Sequence, residues 1–391
     1  MPAPKRTIVF TAFEPSGDAL AAAVIAALRR ADPSLRIAAW GGPNMRAAGA
    51  DIIEETVHGA QMGLPGAGKI LEHLRLNARA GRWLAAHRPS LHVPVDSPAA
   101  NFPICARSKA LGISVVHLAA PQVWAWAQHR VNKLRRLTDL VLCLLPFEAP
   151  WFIARGVPAA FIGHPMFDTP LDRAALAQAA ALFPTPSGQG KRIALLPGSR
   201  VKEIRNNFPV MLRALAAVRQ RWPGSVAVVA PANESDEALA RAVAAERGGW
   251  PPHARVALRG VDAAASWADV VLTVSGTVTL QVARAGAPMV ILYRIKPVPY
   301  HAIGRWIIRS ESATLPNLIA GRRIVPEFVP FTGRGAPIVA ALVDLLGSPG
   351  AREAQREGLR GEVAARFEAS KAAEAAAAAI LGKMDSPIAS G

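Results

Sequence analysis

The 391-residue chain predicts an α/β protein of two domains, each a parallel sheet flanked by helices, and three observations carry that prediction. Short apolar runs alternate with stretches rich in helix formers, which is the rhythm of parallel sheets. The rhythm runs twice, once from Thr7 and again from Arg192. Between the two series lies Pro184-Thr185-Pro186-Ser187-Gly188-Gln189-Gly190, a composition that interrupts regular structure.

In the first series Thr7 to Ala12 reads as a strand ending at the turn Glu14-Pro15-Ser16-Gly17. Strong helix formers follow from Asp18 to Arg30, and Asp32-Pro33 stops them. Leu35 to Trp40, Leu91 to Val95, Ile113 to His117 and Leu140 to Leu145 read as further buried strands. Each ends in a polar or Pro-containing turn, where α/β folds place their ligand sites. The second series has strands at Arg192 to Leu196, Ser225 to Val229, Arg255 to Leu258, Val270 to Val274 and Met289 to Tyr293. The expected division is a first domain over 1–165, a linker over 166–190 and a second domain over 191–350. A helical Ala/Glu/Arg-rich tail, about 351–384, is expected to dock back on the first domain. The result is two Rossmann-like halves facing a cleft.

Composition narrows the function classes. Hydrophobic residues make up 51% of the chain and charged residues 19%, which suits packed cores rather than disorder. Cys105 and Cys143 lie in apolar segments and read as buried, reduced thiols; a disulfide framework or zinc site needs more cysteines, differently spaced. The N-terminal apolar run meets Glu14 and Asp18 too soon for a signal-peptide core, and no uncharged stretch reaches the ~20 residues that span a bilayer. A cytoplasmic protein is expected. The formal charge of +17 permits nucleic acid, an anionic membrane surface or a phosphorylated small molecule as partner. No nucleic-acid module is present, and the basic residues are scattered rather than clustered with base-stacking aromatics, so nucleic acid is not expected.

The motif with most chemistry is Leu196-Pro197-Gly198-Ser199-Arg200, directly after a strand. Gly198 lets backbone approach a ligand, Ser199 and the following amides suit phosphate oxygens, and Arg200 offers a planar fork for a diphosphate. Val201 to Asn206 is expected as a short helical turn, with Asn207 and Pro209 opening the long helix beyond it. Val274-Ser275-Gly276-Thr277 repeats the pattern, opening the helix that carries Gln281. Tyr293 and Leu315-Pro316-Asn317-Leu318-Ile319 are candidate walls for a base or sugar, or sheet packing. In the first half, Glu14 and Asp18 place two carboxylates at a strand-to-helix turn, as a base or as a helix cap together with Ser16. Asp96 sits at another strand end of the same domain. Gly63-Leu64-Pro65-Gly66-Ala67-Gly68-Lys69 imitates a P-loop, but Ile70 stands where a magnesium-binding hydroxyl belongs. Trp124-Ala125-Trp126 with Lys133, Arg135 and Arg136, and Trp306 with Arg305 and Arg309, read either as lipid-headgroup contacts or as core tryptophans beside a basic face.

Taken in order, these segments resemble the lipid-A-disaccharide synthase family. To those above are added Gly41-Gly42-Pro43-Asn44-Met45, Met62-Gly63-Leu64, Pro121 to Trp126, Leu145-Pro146-Phe147-Glu148, Phe161 to Pro165, Met289 to Pro297, and Leu315 to Gly321. The resemblance implies the glycosyltransferase-B fold and an inverting transfer of diacylglucosamine from UDP-2,3-diacylglucosamine to 2,3-diacylglucosamine 1-phosphate, releasing UDP. It implies a UDP-sugar site at Gly198, Ser199, Arg200, Ser275, Gly276, Thr277, Gln281, Tyr293 and Asn317 in the second domain. The first domain takes the acceptor and membrane side, with Ser16, Gly17, Asn101, Trp124 and Trp126. No cofactor and no metal are implied, since Arg200, amides and helix N-termini balance the diphosphate. The implied setting is peripheral, on the inner face of the cytoplasmic membrane, with a homodimer as candidate assembly.

Three positions depart from the family pattern: Gly66, Ala99 and Gln281 stand where the family carries acids. The replaced acid at Ala99 moves the expected catalytic base to Asp96 first, then Glu14 or Asp18. The same departures leave open a same-fold transferase with another acceptor, or a weakly catalytic paralogue that binds UDP-sugars or lipids.

Overall fold

In the computed structural model of the protein the described residues are 6–57, 67–126, 128–295, 312–368 and 371–385, excepting the side chains of 67–71, 73 and 126. The Met62 to Gly66 segment, the Trp306 cluster, residues 296–297 of the Met289 to Pro297 segment and the Trp126 side chain therefore lie outside the described residues.

The chain divides into two compact units, one running to Asp168 and resuming at Ser370, the other spanning Thr169–Ala369. In the first, seven parallel strands are β1 (Thr7–Thr11), β2 (Arg36–Gly41), β3 (Asp51–Glu55), β4 (Leu91–Pro94), β5 (Ser114–Leu118), β6 (Leu140–Cys143) and β7 (Ala159–Phe161). They lie in the order β3-β2-β1-β4-β5-β6-β7. β1, β4 and β5 contribute wholly buried residues such as Ile8, Phe10, Val93 and Val116, packed against Val24, Ile25 and Leu28 of the Pro15–Ala31 helix. The tail helix, Ala372–Asp385, adds Ala373, Ala376, Ala377 and Ile380 to that same core. Asp168 caps it, its carboxylate accepting from the amides of Ala372 at 2.9 Å and Ala373 at 3.1 Å.

The second unit has six strands: β8 (Arg192–Leu196), β9 (Val226–Val229), β10 (Ala254–Val256), β11 (Val270–Val274), β12 (Met289–Arg294) and β13 (Glu327–Phe331). Their order is β10-β9-β8-β11-β12-β13, again parallel throughout. Ile193, Leu195, Leu272 and Val290 are fully buried beneath Ile204, Phe208 and Met211 of the Val201–Arg221 helix. The Ala-rich Arg173–Ala180 helix, capped by Asp172 through the amides of Ala174 and Ala175, belongs to this unit.

Both sheets are doubly wound. Strand order reverses direction between β1 and β4 in the first and between β8 and β11 in the second. At such a reversal the two connecting segments depart to opposite sides, leaving a crevice at the strands' carboxyl ends.

Two local expectations need correction. The helix after Arg200 starts at Val201 rather than near Asn207, and Pro209 lies inside it. The reason is Glu203 at the third helical position, whose carboxylate faces the amides of Ser199 and Arg200 and so supplies the start signal. Ser16 and Asp18 do not cap the first helix, whose N-cap is Glu14 with no side-chain cap bond. Asp18 serves the next helix, Pro43–Ala47, instead: its carboxylate accepts from the amides of Gly42 at 2.9 Å, Asn44 at 3.0 Å and Met45 at 3.2 Å.

Among the described residues no helix is long and apolar enough to cross a membrane. Cys105 and Cys143 are buried and free, and burial pushes both thiols up, Cys105 to about 12.

Candidate functional site

The β8 and β11 strands are neighbours in register, with Leu196 paired to Thr273. That pairing brings Pro197-Gly198-Ser199-Arg200 and Ser275-Gly276-Thr277 side by side at the reversal point of the second sheet. Gly198 has φ +96°, and a Cβ there would lie 2.5 Å from Glu203 Oε2 and 3.2 Å from Val274 Cγ2. Only glycine fits, because the left-handed backbone and the close neighbours act together. Ser199 and Arg200 are exposed, as are Gly276 and Thr277, while Ser275 and Gln281 are half-buried. Tyr293, half-buried at the end of β12, completes the group; burial raises its hydroxyl pKa, and the Glu203 charge raises it further against the effect of Arg200.

Glu203, which sequence reasoning passed over, changes how this turn can work. Its carboxylate is only 5% exposed and takes a charge-assisted bond from Arg200 Nη1 at 2.8 Å. The amides of Ser199 and Arg200 also point to it, at 3.3 Å and 3.4 Å. Of the amides expected to receive phosphate, the one at Arg200 therefore faces Glu203. The guanidinium and the hydroxyl-bearing residues Ser199 and Thr277 are the exposed groups of the two turns, with the Arg200 fork held in place from behind by Glu203. The usual signal for this arrangement is a Ser or Thr three residues before the Glu, and an Arg at that position hides it.

Asn317 is not a wall of this site. It is 1% exposed, and its side chain closes the loop after its own helix, accepting from the amides of Ile324 at 2.8 Å and Val325 at 3.0 Å and donating to Val325 O at 3.0 Å. A buried amide with three backbone bonds is a loop clamp.

In the first unit the reversal lies between β1 and β4, where Thr11 pairs with Pro94. The Glu14 to Asp18 turn and the Asp96-Ser97 turn meet there. A Cβ on buried Gly17 would lie 3.6 Å from Val95 Cγ1, so the two turns are in contact. Glu14 is half-buried and Ser16 exposed. Asp18 is fully buried, with its carboxylate committed to three amides, which removes it as a base. Asp96 is partly exposed and has φ +45°, followed by Ser97 at φ +39°. Two successive non-glycine residues in this region cost of order 1–3 kcal/mol each, and such strain concentrates where function needs it.

Asn101 is wholly buried behind Asp96 and donates to the carbonyls of Val95 at 3.1 Å and Asp96 at 2.8 Å. Behind it stands His92, held neutral because burial lowers its pKa to about 3, with the nearby buried His117 ring disfavouring a second proton further. Trp124 is half-buried, edge-on to Phe147 at 4.9 Å, and donates its indole N–H to Glu148 at 3.0 Å. The Lys133, Arg135 and Arg136 side chains nearby in sequence are exposed.

Glu148 is a second group that sequence reasoning missed as a site residue. Burial pushes its carboxyl up to about 7, against the bonds from Trp124, Leu145 and Leu144 and with a smaller push from the Asp96 charge. The folded protein therefore holds a proton that the unfolded chain releases near the ordinary value of 4.5. Stability is expected to fall as pH rises from that value towards 7, and to level off above it. Glu148→Gln removes this slope: urea unfolding at pH 5 and pH 8 should shift the variant relative to the parent by on the order of 2 kcal/mol in its favour.

With both turns located, comparisons with known proteins carry weight. Residues 8–380 match the family described as lipid-A-disaccharide synthetase. The chain is 33% identical over 362 residues to the lipid-A-disaccharide synthase of Geobacter metallireducens, covering 91% of this chain and 92% of that one. It is 34% identical over 369 residues to the same enzyme of Granulibacter bethesdensis, with 91% and 92% covered. Among solved structures, a putative UDP-N-acetylglucosamine 2-epimerase from Listeria monocytogenes superposes with TM-score 0.66 at 12% identity, covering 98% of this chain and 99% of that one. MurG of Acinetobacter baumannii gives 0.52 at 15% identity, with 97% and 100% covered. At those identities the structures speak for the fold alone, which is glycosyltransferase-B-like.

Proposed function

This chain belongs to the lipid-A-disaccharide synthase family, and from that premise we propose how its two reversal-point turns divide the work of a glycosyltransferase. The substrates are UDP-2,3-diacylglucosamine and 2,3-diacylglucosamine 1-phosphate; the products are the disaccharide 1-phosphate of lipid A and UDP. The single observation that carries the reading is the coincidence of motif and topology. In each sheet, a pair of turns singled out by chemistry falls at the reversal of strand order: the Gly198 and Ser275 turns after β8 and β11, and the Glu14–Asp18 and Asp96 turns after β1 and β4.

The second unit holds the donor. The Arg200 guanidinium, oriented by Glu203, takes the diphosphate together with the hydroxyls of Ser199, Ser275 and Thr277. Gln281 and Tyr293 lie towards the sugar and base. As the anomeric carbon–oxygen bond breaks, negative charge grows on the diphosphate, and these groups stabilise it.

The first unit serves the acceptor. Asp96 takes the proton of the attacking hydroxyl while that oxygen bonds to the anomeric carbon from the face opposite the leaving UDP, giving inversion. Its carboxylate is the one to assign because Asp18 is consumed by amides and Ala99 carries no acid. Glu14, partly exposed at the adjoining turn, is the remaining acid within the same pair of turns.

The net charge of +17 and the exposed basic residues around Trp124 support attachment to the inner, cytoplasmic face of an anionic membrane, where both acylated substrates reside. A homodimer is compatible with this reading. Ala99, on the acceptor side, favours one alternative, a transferase of the same fold with another acceptor. Purified protein incubated with the donor and the acyl-sugar phosphate should yield disaccharide monophosphate and UDP in equal amounts by mass spectrometry. Turnover only with a different acceptor supports the alternative, and UDP-sugar binding without any turnover contradicts both.

A further inference from the structure

A chain of buried polar groups runs from the middle of the first sheet to the Asp96 turn, and each proton in it can be assigned. Thr11 Oγ1 donates to Asn101 Oδ1 at 2.6 Å, so its only proton is used there. His92 Nε2, 2.9 Å from the same hydroxyl, must then be the donor to it. That fixes the Nε2–H tautomer and leaves Nδ1 as an acceptor, which Ser108 Oγ fills at 2.9 Å. At the other end both Asn101 amide protons are spent on the carbonyls of Val95 and Asp96. The reverse amide orientation would set oxygen against two carbonyls, so one orientation satisfies every member. His92, Asn101 and Ser108 are 0% exposed and Thr11 is 1% exposed.

The chain ends on a strained turn rather than on a ligand. Asp96 and Ser97 keep their left-handed backbone because it is pinned from several sides. Asp96 N donates to Leu118 O at 2.9 Å, Asn101 N to Ser97 O at 3.1 Å, and the Asn101 side chain to Asp96 O at 2.8 Å. Only the last of these is a side-chain bond, and the oxygen end of that amide is anchored by Thr11, whose proton His92 directs.

We propose that Thr11 and His92, acting through Asn101, are positioning residues that hold Asp96 in its strained conformation for proton transfer. The proposal rests on the assignment of Asp96 as base, and it moves Asn101 from contact with the acceptor to support behind the base. Thr11→Val keeps shape but removes the link in both directions, leaving Asn101 Oδ1 without its donor and the His92 Nε2 proton without its acceptor, so that the amide is held from the carbonyl side alone. A misplacement of up to 1 Å costs about 10²-fold in rate, and the relayed effect here should be roughly 10-fold in kcat, with the donor KM unchanged. Thr11→Ser retains the hydroxyl and should restore most of the turnover.

The discriminating step is a cycle with Asp96→Asn. If the relay works through Asp96, Thr11→Val lowers kcat in the parent and has no further effect in the Asp96→Asn background. An additive effect there, an unchanged kcat for Thr11→Val alone, or a Ser variant as poor as the Val one, overturns the proposal while the base assignment stands. Full turnover by Asp96→Asn overturns the base assignment and this proposal with it. Should Thr11→Val lose its cooperative thermal melt, Ser108→Ala carries the same test from the far end of the chain: a severalfold lower kcat at unchanged donor KM is expected, and an unchanged kcat contradicts it.

Discussion

Asp96→Asn is expected to lower kcat by about 10²–10⁴-fold, the range that general-base assistance supplies. The substitution keeps size and hydrogen bonding but cannot take a proton from the acceptor hydroxyl. The substitution leaves two backbone contacts of the turn in place, Asp96 N to Leu118 O and Asn101 Nδ2 to Asp96 O. Binding of UDP should be unchanged, since the residues proposed for it all belong to the other unit. Steady-state kinetics with both acylated substrates measure the first effect and calorimetry with UDP the second. If kcat stays within a factor of about two, the base lies elsewhere, and Glu14 is the acid to change next.

Gly198→Ala is the complementary case. The new methyl carbon meets Glu203 Oε2 at 2.5 Å, Glu203 Cβ at 3.0 Å and Val274 Cγ2 at 3.2 Å, on a backbone with φ +96°. The left-handed conformation alone costs roughly 1–2 kcal/mol for a residue with a Cβ. Moving the Glu203 carboxylate releases the Arg200 guanidinium and two amides together. UDP affinity should therefore fall roughly 10- to 100-fold, since each 1.4 kcal/mol is worth a factor of ten. Protein stability should fall by about 2 kcal/mol as well. The separable readout is kcat at saturating donor, which should fall far less than it does for Asp96→Asn.

Much of the fold was legible because the central strands of doubly wound sheets are buried on both faces. Val9, Phe10, Leu195 and Leu272 belong to continuous apolar runs, and their strands lie where those runs predict. The strands that escaped reading, β3, β7 and β13, all lie at sheet edges. Asp51-Ile52-Ile53-Glu54-Glu55 alternates exposed and half-buried residues, β7 is three residues long, and β13 contains Pro330, which an edge tolerates. An edge strand lacks the uninterrupted burial that makes its neighbours visible.

The candidate site divides in the same way. Gly198 and Asp96 were visible because a turn after a strand restricts residue types locally. Glu203, Glu148 and the Thr11–His92–Ser108 chain were not, because each matters through partners distant in sequence or through a burial that only packing creates. Asp18 illustrates the converse error. As a sequence it is an acid at a strand-to-helix turn; in the fold it satisfies three amides of another segment and has no role left for chemistry.

The central claim is a division of labour, with UDP held at the Gly198 turn and the acceptor proton taken at the Asp96 turn. Calorimetric titration of UDP into the parent protein, Asp96→Asn and Gly198→Ala tests it most directly. Equal affinity for the first two and a roughly 10- to 100-fold loss for the third is the predicted result. Weakened UDP binding in Asp96→Asn, or parental affinity in Gly198→Ala, would contradict it.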